Sequence, residues 1–234
     1  MSNHMRIAVL AVASTIGSAT SVYAEPGGTS GVSGPSVAQG DFEIEFRTTT
    51  FTGDALDGDW AHRAQISYAF TDWWRPTLIL RASQPDNGSA EVRSIGIENV
   101  FDYAPSRDWP VHLGGQFEYK FGLNGADDDV VLKLLAERRR GPFTARLNLI
   151  GERAVGTSVS EDWEHAYAAR VTWRSSDNIV LGVEGFGEPA GGAHYWGPRA
   201  GLSFGDATLS VAYLAGFENA QADGQFRLAL EFEP

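Results

Sequence analysis

Residues Val111 to Phe121 read VHLGGQFEYKF. Val111, Leu113, Phe117, Tyr119 and Phe121 share one parity; His112, Gln116, Glu118 and Lys120 share the other. Side chains of a strand alternate between its two faces, so this is a strand with one oily and one ionic face. A soluble antiparallel sheet with its oily face on a core reads similarly. The rest of the chain decides between the two.

The pattern recurs to the end of the chain with no helix between. From Asp41 onward there are twelve strand candidates. They are Phe42 to Thr49, His62 to Phe70, Arg75 to Ser83, Glu91 to Phe101, Val111 to Phe121 and Val130 to Arg138. Phe143 to Glu152, His165 to Arg174, Ile179 to Glu188, Tyr195 to Phe204, Thr208 to Gly216 and Gln225 to Glu233 follow. Each suits the roughly 9 to 11 residues that a tilted strand needs to cross lipid. Past Ala24 no run of about 18 apolar residues occurs, and only helices and closed barrels can span a bilayer. The expected fold is therefore all-β: a single antiparallel, up-and-down transmembrane β-barrel over residues 41–234.

The connections support it. Odd-numbered ones are long and polar, with TGDALDGDW, QPDNGS, NGADDD, AVGTSVSEDW, PAGGA and FENAQADG. Even-numbered ones are short, with TDWW, RRGP, SSDN and GD; Asp102 to Trp109 is the exception. Barrels of the outer membrane have short periplasmic turns and longer outer loops. Pro198 resists the pattern, because it cannot donate to a ladder and a closed barrel has no edge. It predicts a late start near Arg199 or a bulge in the tenth strand.

The first 24 residues stand apart. One basic residue, Arg6, precedes the apolar run IAVLAVASTIG, and Val22-Tyr23-Ala24 has the form of a cleavage site. This predicts a secretory signal peptide over 1–24 and an exported chain. Glu25 to Gly40, EPGGTSGVSGPSVAQG, reads as a flexible periplasmic linker; so few small residues cannot build the core of a plug. Without Arg6 the chain has 17 basic and 30 acidic side chains, a net charge of −13, which argues against nucleic acid as a partner. There is no cysteine, hence no disulfide framework or thiolate metal site. No cofactor is expected.

The leader, the dyad repeats from Asp41 to Pro234, the aromatics Trp73, Trp74, Trp109, Trp163 and Trp173 and the ending FRLALEFEP carry a resemblance. The chain resembles a Gram-negative outer-membrane β-barrel of the small porin or transporter type. Stretches such as GVEGFGE and GPRAGLSFGDATLSVAYLAGF are similar in style to barrels linked to aromatic-compound degradation. The resemblance implies a bacterial outer-membrane location, outer-membrane lipid and lipopolysaccharide as surroundings, and insertion by the outer-membrane assembly machinery. Barrels of this class usually end on an aromatic; here Phe232 is followed by Glu233 and Pro234.

Charge identifies the inward face. A basic residue facing lipid costs roughly 2–4 kcal/mol at the midplane, so the ionic parity must line the lumen. The pore-lining candidates are Glu43, Glu45, Arg47, Arg63, Arg81, Glu98, Glu118, Lys120, Lys133, Arg146, Arg170, Glu184, Arg199, Arg227 and Glu231. Arg75, Glu137, Glu152 and Glu188 complete the inward charge, nine acids against ten bases. Opposed rows of this kind suit a channel for small polar or charged solutes. The alternatives are a barrel filled by paired side chains and a lipid-modifying enzyme. For the enzyme, His62, His165 and His194 fall on the outward parity where descending strands begin, but no outward serine stands beside them. The acidic loops Asp54 to Asp59 and Asp127 to Asp129 fit no calcium loop and read as solvated turns.

Overall fold

The computed structural model describes residues 28–156, 162–189 and 192–234. The leader expected over 1–24 lies outside them, as do residues 157–161 and 190–191 of two loops. Twelve antiparallel strands follow one another: β1 Phe42–Thr52, β2 Trp60–Tyr68, β3 Trp74–Gln84, β4 Glu91–Asp102, β5 His112–Gly122 and β6 Asp128–Arg140. β7 is Phe143–Val155, β8 Glu164–Arg174, β9 Ile179–Gly187, β10 Ala193–Phe204, β11 Ala207–Glu218 and β12 Gly224–Phe232. Each strand pairs with its sequence neighbours, and β1 pairs with β12 from Ile44–Phe232 to Thr52–Gly224. The sheet is a closed barrel with no free edge.

The two ends differ as the loop lengths predict. The end that holds both barrel termini has the tight connections, at 141–142, 175–178 and 205–206. The long exception between β4 and β5 is folded into a 3-10 turn, Ala104–Asp108. Ser106 closes that turn: its Oγ donates to the Tyr103 carbonyl at 2.7 Å, lies 3.2 Å from the Leu113 carbonyl and accepts the Leu113 N–H at 2.7 Å. The opposite, loop end carries the connections at 53–59, 85–90 and 123–127 and the three that follow.

Alternation sorts the side chains. Large apolar residues such as Phe46, Leu78, Leu80, Ile97, Leu132, Leu134, Val171, Leu181 and Leu230 stand exposed on the outer wall. Aromatics gather at the terminal end, where Phe70 stacks on Trp74 at 5.5 Å and Trp73 on Phe101 at 6.4 Å. An apolar band with aromatic rims is the surface a bilayer requires. Among the described residues no helix is long and apolar enough to cross a membrane.

Pro198 needs neither a late start nor a bulge, contrary to the sequence expectation. β10 runs through it from Ala193 to Phe204 and pairs Pro198 with Val183 of β9. On the β11 side the ladder skips Gly197 and Pro198 and resumes at Arg199–Ala212 in the same register. The barrel absorbs the missing donor as a two-residue gap on one side. The register does shift between β3 and β4, at Arg81/Ala82.

Leu134→Arg, on the outer wall halfway along β6, is expected to cost about 2–4 kcal/mol. Urea unfolding of vesicle-inserted protein measures it, with Leu134→Phe as the control that loses little.

Candidate functional site

The barrel encloses a charged wall. All fifteen candidates lie on the inward parity. Glu45, Arg47, Arg63, Arg81, Glu98, Glu118, Glu184 and Arg227 are buried there. The charges pair across neighbouring and more distant strands. In one group, Arg81 meets Glu118 at 2.6 Å, Arg63 lies 3.5 Å from Glu98, and Gln116 donates to Glu98 at 2.7 Å. Lys133 lies within electrostatic reach of Glu98 and Glu118. In a second group Glu184 serves three arginines, Arg170 at 2.9 Å, Arg227 at 3.2 Å and Arg199 at 3.4 Å. Arg47 pairs with Glu45 at 2.5 Å, and Arg227 also stacks over Phe186 at 4.5 Å.

Further pairs reach the ends. Arg146 meets Glu137 at 2.6 Å, and Lys120 bonds Glu152. Near the terminal end Glu43, Glu231 and Glu233 bring carboxylate oxygens within 4.8 Å of one another, with Arg75 3.7 Å from Glu43. A carboxylate that the sequence reading left as a turn residue, Asp102, is also inward and buried. It binds His112 at 2.8 Å and Arg107 at 2.7 Å. That hydrogen bond raises the Arg107 guanidinium above its ordinary range. Asp102 lies four residues beyond Glu98 on the same parity, so strand periodicity alone would have found it.

Residues 28–40 overturn the linker expectation. They run as an extended chain inside the barrel. At the terminal end Gly40, with φ +94°, turns the chain and donates to the Ala69 carbonyl at 2.9 Å. Above it the Val37 carbonyl accepts from Arg107 at 3.2 Å, and Ser36 lies 3.4 Å from His112. Ser33 exchanges two bonds with Asn148, at 2.8 and 2.9 Å. Arg47 donates to the Thr29 carbonyl at 2.7 Å, Thr49 to the Gly28 carbonyl at 2.8 Å, and Arg227 to the Ser30 carbonyl. Thr49 lies three residues from the loop end of β1, so the segment traverses most of the lumen.

Two valines anchor it. Val32 packs in a cluster with Phe186, Tyr195 and Leu214, and Val37 in another with Ala69, Val100 and Leu135. The earlier argument weighed only what the segment could bury by itself. The lumen wall supplies both the apolar nooks and the hydrogen-bond partners. The wall itself encloses a cavity of about 50 Å³, lined by Glu45, Arg47, Arg170, Glu184, Arg199, Arg227 and Glu231 among others.

The outer rim holds a separate set of groups. His62, His165 and His194 face outward near the loop end, where the sequence places them. Thr48 lies 2.9 Å from His62. Tyr167 lies 2.9 Å from His194 and accepts from the Trp196 indole, also at 2.9 Å. Thr and Tyr hydroxyls with an indole anchor a membrane interface well. The acidic loops use their carboxylates locally: Asp57 accepts the Gly53 N–H at 2.6 Å and Asp128 the Gly122 N–H at 2.8 Å.

Glu118→Gln is expected to destabilise the barrel by about 3–5 kcal/mol, because it strands the buried Arg81 charge. Replacing both partners by Met should recover most of that loss. Unfolding of the single and double variants in detergent checks both.

No family model matches the chain, and no curated protein matches it in sequence. Its fold is similar to solved barrels. The COG4313 outer membrane channel from Pseudomonas putida F1 aligns with a TM-score of 0.67 at 12% identity, covering 85% of this chain and 97% of that one. The KdgM porin in complex with disordered oligogalacturonate gives 0.61 at 9% identity, over 81% and 98%. The NanC porin gives 0.60 at 11% identity, over 82% and 100%. At these identities the likeness is one of fold.

Proposed function

We propose that the chain is a bacterial outer-membrane channel through which small polar or charged solutes diffuse. One observation carries this reading: residues 28–40 lie lengthwise within the barrel. The wall side chains therefore do not meet across the middle. They leave a path as wide as a chain whose side chains, over residues 28–38, are no larger than valine, and that path is charged along its length. Twelve strands enclose more space than the eight of a side-chain-filled barrel. Similarity in fold to proteins described as channels and porins agrees with the reading.

In this reading the fifteen inward charges line the pore. The short-turn end faces the periplasm and the loop end faces lipopolysaccharide outside. The outer-membrane assembly machinery would insert the chain. The leader over 1–24 would direct its export. The rim histidines serve as interfacial anchors rather than as a lipid hydrolase, because a nucleophile and base need an orienting acid in hydrogen-bond reach. Glu218 lies 3.7 Å from His194, beyond hydrogen-bond length.

Reconstituted in planar bilayers, the protein is expected to give discrete conductance steps. Arg170→Gln with Arg199→Gln should shift the reversal potential in a salt gradient toward cations. Silence from both the full chain and a chain lacking 28–37 sinks the channel and leaves a structural barrel.

A further inference from the structure

Over residues 28–34 the interior segment meets the wall in a one-sided way. Four wall groups donate to its carbonyl oxygens: Thr49 to Gly28, Arg47 to Thr29, Arg227 to Ser30 and Asn148 to Ser33. In this stretch the segment returns one bond, from the Ser33 N–H to Asn148. The wall thus presents donors and the segment presents acceptors. Two of the donors are guanidinium groups, which bind carboxylate or phosphate oxygens more strongly than neutral carbonyls.

Charge points the same way. Arg47, Arg170, Arg199 and Arg227 converge on two carboxylates, Glu45 and Glu184. The segment's backbone is neutral and leaves that surplus of positive charge in place. Among the described residues the Arg227 Nε is buried with no hydrogen-bond partner. The same four arginines, with Glu45, Glu184 and Glu231, line a small cavity in the wall.

Resting on the channel reading above, we propose that this strip of wall is the channel's oxyanion-binding site and that residues 28–34 are its built-in occupant. The segment holds the site with carbonyl oxygens. A small solute bearing carboxylate or phosphate displaces it, forming charge-assisted bonds where the segment forms neutral-acceptor ones. Displacement opens the path, and the segment withdraws toward Gly40, where it joins β1.

The absence of native cysteine makes the test direct. Ser33→Cys with Asn148→Cys puts a thiol on each of two neighbouring residues, the Ser33 backbone N–H and carbonyl now bonding the Asn148 side chain. In planar bilayers the oxidised pair is expected to lose conductance and dithiothreitol to restore it, while neither single-cysteine variant responds. A chain lacking 28–37 is expected to stay open, to prefer anions in a potassium chloride gradient, and to be blocked by succinate and by inorganic phosphate. Arg47→Gln with Arg227→Gln in that truncated chain should abolish the block. On the full chain, succinate should raise the frequency of opening, and phosphate doing the same identifies the shared oxyanion chemistry. Equal conductance in oxidised, reduced and truncated protein overturns the proposal. So does a truncated channel that conducts but prefers cations or ignores both anions. A truncated channel that is itself silent removes the channel reading and this inference with it.

Discussion

Hydrocarbon offers no partner to a backbone N–H or carbonyl, and that constraint shapes everything else in this protein. A sheet in lipid has to close on itself, and here β12 returns to β1 over nine paired residues. Closure at twelve strands fixes the diameter, and alternation then fixes which half of the side chains faces lipid. Charge cannot stay on that half, so it goes inside. Once inside, it has little water around it and must find partners. The result is a wall in which Glu184 binds three arginines and Glu118 binds Arg81. Ion pairing in the lumen is a consequence of apolarity outside.

The same diameter leaves a space that the wall does not fill. An α-helix with its side chains is about 10–12 Å across, a demanding fit for a lumen already carrying Arg and Glu. An extended chain of small residues needs less room and exposes its carbonyl oxygens along its length. Residues 28–40 take that form, with Val32, Pro35 and Val37 buried against the wall. Gly31 and Gly34 fall where the arginines come closest. A Cβ there would stand 2.9 Å from Arg47 Nη1 and 3.0 Å from Arg146 Nε.

The barrel was legible in the sequence because its signal is periodic. A two-residue repeat assigned every strand, and the inward charges followed from the cost of basic side chains in lipid. Asp102 was missed because it ends a strand and was read as part of the following turn, although its parity matches Glu98. The interior segment was missed for a different reason. A glycine-, serine- and proline-rich stretch has no period, and its partners, Arg47, Asn148 and Arg227, are spread over the whole chain. Nothing local marks a segment whose core is supplied by other residues. Pro198 misled because the ladder rule applies to each side separately: pairing to β9 continues while two pairs to β11 are lost.

What holds the segment inside also bears on whether it can leave. Fully burying a valine contributes about 1.5–3 kcal/mol, whereas ordering backbone costs about 1–2 kcal/mol per residue. Two valines do not offset the ordering of residues 28–40, so the polar contacts decide the outcome. Hydrogen bonds to charged groups contribute about 1.5–3 kcal/mol each, and those from Arg47, Arg227 and Arg107 are of this kind. Residues 28–30 are therefore held by guanidinium groups acting on neutral acceptors, while nearer Gly40 the carboxylates of Asp102 and Asp72 accept the Val37 and Gln39 N–H groups. A competitor that offers the same groups a negative oxygen acts on the bonds that keep residues 28–30 in place. The composition that reads as disorder suits this role. Small side chains pass the arginines, and a backbone tied by its carbonyls can be released without dismantling the wall.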